Sequence, residues 1–233
     1  MGLSEPPALQ GKPMKPNNIN PNKFTRFTVI ALLAALAIPH QLGGQDKESV
    51  KAENSQPSFA ITSVAFPNGG TLPLSMIFGA PGCAADGATG MDKSPDVSWT
   101  GASPKTQTFV VIMYDLTAAI THWGMYNIPA NQTGLLENAG TPGSTAGQQV
   151  ANDFTFSEEY DGPCPPTNAI PQTHEYVLTV YALNEQLKLP VGSIDFPPFG
   201  ETLFRSLVEA GRTGHILQSA SITGHYSAVT PKN

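Results

Sequence analysis

Apolar residues along this chain gather in a few short blocks, separated by polar stretches rich in glycine and proline, which is the spacing of strands and turns. Residues 106–115, TQTFVVIMYD, carry apolar side chains at nearly every position and predict a strand buried on both faces, closed by Asp115. Residues 120–129, ITHWGMYNIP, predict a second strand that stops at Pro129, and the glycine-rich polar stretch to about Gln149 reads as loop. Residues 174–183, HEYVLTVYAL, are a third. Period two along that strand puts His174, Tyr176, Leu178 and Val180 on one face, and Glu175, Val177, Thr179 and Tyr181 on the other. Earlier in the chain, Ile61, Val64 and Phe66 open a strand that Pro67 and Asn68-Gly69-Gly70 end, and 72–78 predicts another. Only near the C-terminus does the period change. Leu203, Phe204, Leu207 and Val208 fall at helical spacing within 201–210, Gly211 is placed to cap that helix, and a helical turn at 215–219 leads into a last strand at 221–226.

The N-terminus carries a different signal. Lys23 and Arg26 precede FTVIALLAALAIP, residues 27–39, an apolar run the length of a signal-peptide core and short of the roughly 20 residues of a spanning helix. The expected organisation is a signal peptide at 1–40, a flexible polar linker at 41–58, one domain at 59–228 and a tail at 229–233. The alternative is an uncleaved membrane anchor. After processing no stable membrane span is expected, and the product is exported, periplasmic or secreted. Glycine and proline at 22 each, with 13% charged residues against about 25% in ordinary soluble domains, fit a loop-rich β protein better than a helical one. A net charge of -6 with only 12 Lys and Arg disfavours nucleic acid and anionic membrane surfaces as partners. In an oxidising compartment Cys83 and Cys164 pair more often than they stay free, and closing so long a loop restricts the unfolded chain by about 4 kcal/mol. Two buried thiols are the other reading. Neither cysteine has the spacing of a metal site, and no metal or cofactor is expected.

Six segments follow one another in an order that carries more information than any of them alone: SPDVSW (94–99), VVIMYD (110–115), HWGMYNIPA (122–130), YDGPCPP (160–166), HEYVLTVYAL (174–183) and GHILQSASITGHY (214–226). Together they resemble the phosphatidylethanolamine-binding protein family, also called the Raf kinase inhibitor protein family, in its bacterial and archaeal form. The resemblance implies a mostly β, sandwich-like fold with a large central antiparallel sheet, a smaller second sheet and C-terminal helices. It also implies a pocket for a small anion, phosphate or a phospholipid head group, lined by Asp115, His122, Gly162, Pro163, His174 and Tyr176. Two departures stand out. The family's D-P-D-A-P segment is Asp115-Leu116-Thr117-Ala118-Ala119 here, which removes one carboxylate and both prolines, and its H-R-Y is His174-Glu175-Tyr176.

Residue chemistry points the same way. His174 and Tyr176, two apart on a strand, share a face; a histidine beside a carboxylate is biased toward its charged form, a tyrosine donates one more hydrogen bond, and glycine lets backbone amides come close. Asp115 repels a dianion, so its expected work is to orient a histidine or to accept a proton from the guest. Both histidines also have a plain structural alternative, as buried and satisfied core residues. The leading expectation is a binding protein rather than an enzyme, with inhibition of a partner protease or kinase as an extension. The alternative is a small-molecule enzyme using the same histidines and Asp115 for acid–base catalysis; no G-x-S-x-G, H-E-x-x-H or Walker sequence accompanies it.

Overall fold

The structure is a computed structural model and describes residues 58–190 and 198–229, so the expected leader, nearly all of the linker and most of the tail lie outside the described residues. In chain order the strands are β1 (Ala60–Thr62), β2 (Gly70–Thr71), β3 (Val97–Thr100), β4 (Thr108–Asp115), β5 (Ile120–Pro129), β6 (Gly134–Leu135), β7 (Gln148–Gln149) and β8 (His174–Leu183). Helix α1 (Gly200–Arg212) and strand β9 (Ile216–Tyr226) follow. Six strands form one sheet in the order β2-β9-β8-β4-β5-β7, and three form a second in the order β1-β3-β6. All pairings are antiparallel except the short one between β2 and β9. The protein is therefore mostly β with two sheets, as expected, and one α-helix stands among the described residues where more than one was expected.

Strand β4 sits centrally in the large sheet, and its unbroken apolar run is buried on both sides. Phe109, Val111 and Met113 join the larger core, with Ile61, Val97 and Trp99 from the small sheet. Val110 and Ile112 join the smaller core under α1, with Leu203, Leu207 and Ala210. Period two thus sends alternate side chains into two cores, which is why no polar residue interrupts the run. Close approach of helix and sheet also needs a small residue at Gly124, where a Cβ would lie 2.6 Å from Val150 Cγ2 and 2.9 Å from Leu203 Cδ2.

Several local expectations change. Residues 72–78 are not a strand: Leu74–Met76 is a 3-10 turn, which drops Met76 and Ile77 into the core without extending the sheet. Strand β1 ends before Val64, whose side chain is exposed, because the Asp96 carboxylate takes the Val64 and Ala65 amides away from any ladder. Helix α1 runs past Gly211, and Gly214, at φ +76, makes the left-handed turn out of it. The predicted helical turn at 215–219 is instead the start of β9, whose pairing with β8 runs from Leu183↔Ile216 to His174↔Tyr226. Cross-strand hydrogen bonds along β8 outweigh the weak local pattern there.

Cys83 and Cys164 form a disulfide across a separation of 81 residues. It joins the loop after the 3-10 turn to the loop that carries the GPCPP segment.

Candidate functional site

One end of the large sheet holds a cavity of about 380 Å³. Asp115, His122, His174 and Tyr176 all line it, together with Thr117, Ala118, Ile120, Phe154, Cys164, Pro165, Pro166, Ala169 and Ile170. The pairing explains the convergence. Asp115 is the last residue of β4 and pairs directly with Tyr176 on β8, and His174 lies one same-face step further along β8.

His122 arrives by a different route. Met113 pairs with Trp123 and Tyr114 with Thr121, so His122 is the extra residue of a β-bulge in β5. A bulge lets two consecutive residues face the same side, and here both the Trp123 and His122 rings turn toward the larger core while Thr121 lies against Gly200 at the start of α1.

Asp115 is almost fully buried, and its oxygens are heavily used. Oδ1 accepts the amides of Thr117 and Ala118, each at 2.8 Å, and Oδ2 accepts Nδ1–H of His174 at 2.7 Å. The two amide bonds form a turn closed by its own first residue, and the Thr117 hydroxyl accepts the Glu175 amide at 3.0 Å. These bonds do what the missing prolines would do, fixing the turn between β4 and β5. Asp115 thus orients His174, one of the two roles expected of it.

His122 Nδ1 lies 2.7 Å from the backbone carbonyl of Asp161, an acceptor only, so Nδ1 carries the proton and donates it. Nε2 then presents a lone pair. It is buried without a hydrogen-bond partner, 4.0 Å from Asp115 Oδ2. Burial holds the imidazole below its usual pKa despite the nearby carbonyl and the Asp115 charge. His122 donates its hydrogen bond to a carbonyl and lies 4.0 Å from the Asp115 carboxylate, and desolvation outweighs the Asp115 field. The Tyr176 hydroxyl is likewise buried without a hydrogen bond of good geometry. Burial, and then the charge of nearby Asp115, raises its pKa far above the ordinary phenol range, so it keeps its proton to donate.

Gly162 and Pro163 are not part of the cavity wall. The Gly162 amide donates to Asp92 Oδ1 at 2.7 Å, and the Pro163 carbonyl accepts the Phe78 amide at 3.2 Å, so both backbone groups are spent on holding the loop. A Cβ on Gly162 would lie 2.1 Å from the Met76 carbonyl, which makes glycine a packing requirement there. The loop reaches the cavity one step later, through Cys164, Pro165 and Pro166. The apolar wall, Ile120 and Phe154 above all, escaped the sequence reading because Phe154 lies in an aperiodic loop. Asn152 anchors that loop: its Oδ1 accepts the Phe154 and Thr155 amides, and its Nδ2 donates to Asp161 Oδ2 at 2.7 Å.

Among the described residues lining the cavity, Asp115 is the one carboxylate and no Lys or Arg is present. No group of three or more His, Cys, Asp or Glu side chains is arranged to hold a metal ion among the described residues.

Known proteins share this arrangement of sequence and fold. The UPF0098 protein YbcL of Escherichia coli is 35% identical over 144 residues, covering 58% of this chain and 74% of that protein. A UPF0098 protein of Aquifex aeolicus is 37% identical over 142 residues, covering 59% and 75%. The crystal structure of E. coli YbcL, described as a new member of the mammalian PEBP family, superposes with a TM-score of 0.59 at 30% identity, covering 73% of this chain and 98% of that one. A PEBP homologue of Chlamydia trachomatis, at 23% identity and a TM-score of 0.54, shares the fold. The phosphatidylethanolamine-binding protein family model matches residues 62–227, from the end of β1 to just beyond β9, and the chain belongs to that family.

Proposed function

We propose that this protein is an exported binding protein whose hollow captures a small phosphorylated anion, inorganic phosphate or a head-group fragment, through His122, His174 and Tyr176 with Asp115 as the orienting group. One observation carries the reading. Of two polar atoms on nearly fully buried residues, His122 Nε2 has no hydrogen-bond partner and Tyr176 Oη has no hydrogen bond of good geometry, only a weak interaction with Asp115, and both residues line the same cavity. Leaving a buried polar group unpaired costs about 1–3 kcal/mol, so a guest that pairs both is favoured by their release from that penalty. Apolar walls on the other sides, from Ile120, Phe154 and Pro166, are what a small-ligand site uses to exclude water around a few placed polar groups. The Cys83–Cys164 disulfide supports export, since such bonds persist in oxidising compartments. An acidic side chain of a partner, on a secreted protease for instance, would meet the same Tyr176 donor and His122 acceptor.

Titration of the purified protein with phosphoethanolamine, followed through the histidine ring signals by NMR, should move His122 and His174 together. Shifts confined to His215 or His225, or no shift, reject the site.

Acid–base catalysis is a second reading, favoured by the neutral ring of His122 and its bare Nε2 facing a cavity. Turnover of ester or phosphoester substrates, abolished in a folded His122→Ala variant, would decide for it.

A further inference from the structure

We propose that the hollow selects oxyanions by the proton they carry: it accepts a phosphomonoester or inorganic phosphate with one P–OH and excludes fully ionised phosphodiesters and sulfate esters. The inference rests on the reading of the cavity as a phosphoryl site, and names the ligand class within it.

The determinant is the lone pair on His122 Nε2. Because Nδ1–H is committed to the Asp161 carbonyl, the neutral ring can only accept at Nε2. The ionisable groups around the ring are Asp115 from β4, His174 and Tyr176 from β8, and Asp161 from the loop before β8, whose carboxylate is held by Asn152 and Thr155. None of them supplies a proton to Nε2. Asp115 Oδ2, at 4.0 Å, is itself an acceptor and already holds His174. A guest oxygen that reaches Nε2 must therefore donate.

A hydrogen phosphate monoester meets that demand. Its P–OH donates to Nε2, and an ionised oxygen accepts Tyr176 O–H. The second pKa of a phosphomonoester is about 6, so the proton is available near neutral pH at small cost. Whether it resides on the phosphate oxygen or on Nε2, the complex contains one proton shared between them, and above the ligand's second pKa that proton comes from solvent. A diester or a sulfate ester has no O–H to give. Its binding needs His122 to take up a proton unaided, which burial of the ring opposes. The intact head group of a phospholipid is such a diester.

The test uses four probes on the intact purified protein at about pH 7 by calorimetry, with the His122 and His174 ring signals reporting the location. They are inorganic phosphate, phosphoethanolamine, the diester glycerophosphoethanolamine, and ethanolamine O-sulfate, the isosteric partner of the second. The first two should bind and the last two should bind roughly tenfold or more weakly, the loss expected when a buried acceptor goes unpaired. Above pH 7, phosphoethanolamine binding should take up close to one proton, read from the dependence of the heat on buffer ionisation. The ratio of the first two affinities tells free phosphate from a head-group monoester as the better guest. Equal binding of all four overturns the proton selectivity and leaves the phosphoryl site standing; no binding of any overturns both. In His122→Gln the amide can turn its NH2 toward the guest, so the gap between phosphate and sulfate esters should narrow. An unchanged gap in the folded variant overturns the role of His122, and if the variant does not fold, the wild-type series decides.

Discussion

Asp92→Asn should make this protein more stable, and only above mildly acidic pH. Asp92 adopts φ +53, a left-handed conformation that Asn tolerates as well as Asp does, and its Oδ1 accepts the Gly162 amide. Burial first, and then the charges of Asp161 and Glu159, push its pKa up to about 6 from 3.8, against the lowering effect of the Gly162 bond. The native state therefore holds a proton that the unfolded chain releases between pH 3.8 and about 6, and stability falls as pH rises through that window. About two units of difference correspond nominally to about 3 kcal/mol, which solvent screening at a half-exposed carboxylate reduces to about 1 kcal/mol. Asparagine keeps the acceptor for Gly162 and carries no charge. Urea unfolding should show the variant about 1 kcal/mol more stable than wild type near pH 7.5, with the gain gone near pH 3.5. A variant equal to or weaker than wild type at the higher pH, or a gain independent of pH, would refute the reasoning.

Other perturbations probe the site and its supports. Asp115→Ala leaves two amides and the His174 N–H without their acceptor in a buried place, and thermal or urea unfolding should record a loss of roughly 3 kcal/mol or more. His122 has a lowered pKa in the native state, so stability should decline as pH falls below 6.5, where the unfolded imidazole takes up its proton; His122→Asn, able to donate to Asp161 O but not to titrate, should flatten that limb of a stability–pH curve. Reduction of Cys83–Cys164 should cost up to about 4.5 kcal/mol, seen as a lower urea midpoint with dithiothreitol than without. Gly124→Ala forces a methyl against Val150 and Leu203, and should lower stability by about 1–3 kcal/mol in the same assay.

Strands β4, β5 and β8 were legible in the sequence because each is dominated by its own side-chain pattern: a continuous run where both faces are buried, and alternation where one is. The pairing of His174 with Tyr176 on one face follows from period two and needs nothing else. Helix α1 was legible for the equivalent reason, though its end was not, because Gly211 and Gly214 both offer a left-handed stop and the contacts of the following strand choose between them.

What the linear order could not contain is the relation between segments far apart in the chain. That His122 joins the site depends on a bulge defined only by pairing to β4, since without it Trp123 and His122 would face opposite sides. That His122 is neutral depends on burial, and that its one proton sits on Nδ1 depends on a carbonyl 39 residues away; neither has a local signature. Gly162 and Pro163 fell outside the cavity because tertiary partners, Asp92 and Phe78, consumed their backbone groups first. The chain by itself therefore determined the long central strands β4, β5 and β8 and the residue types they carry, through periodicity and residue chemistry. Tertiary structure alone decided their protonation and orientation, because both are set by neighbours that only folding brings within a few ångströms.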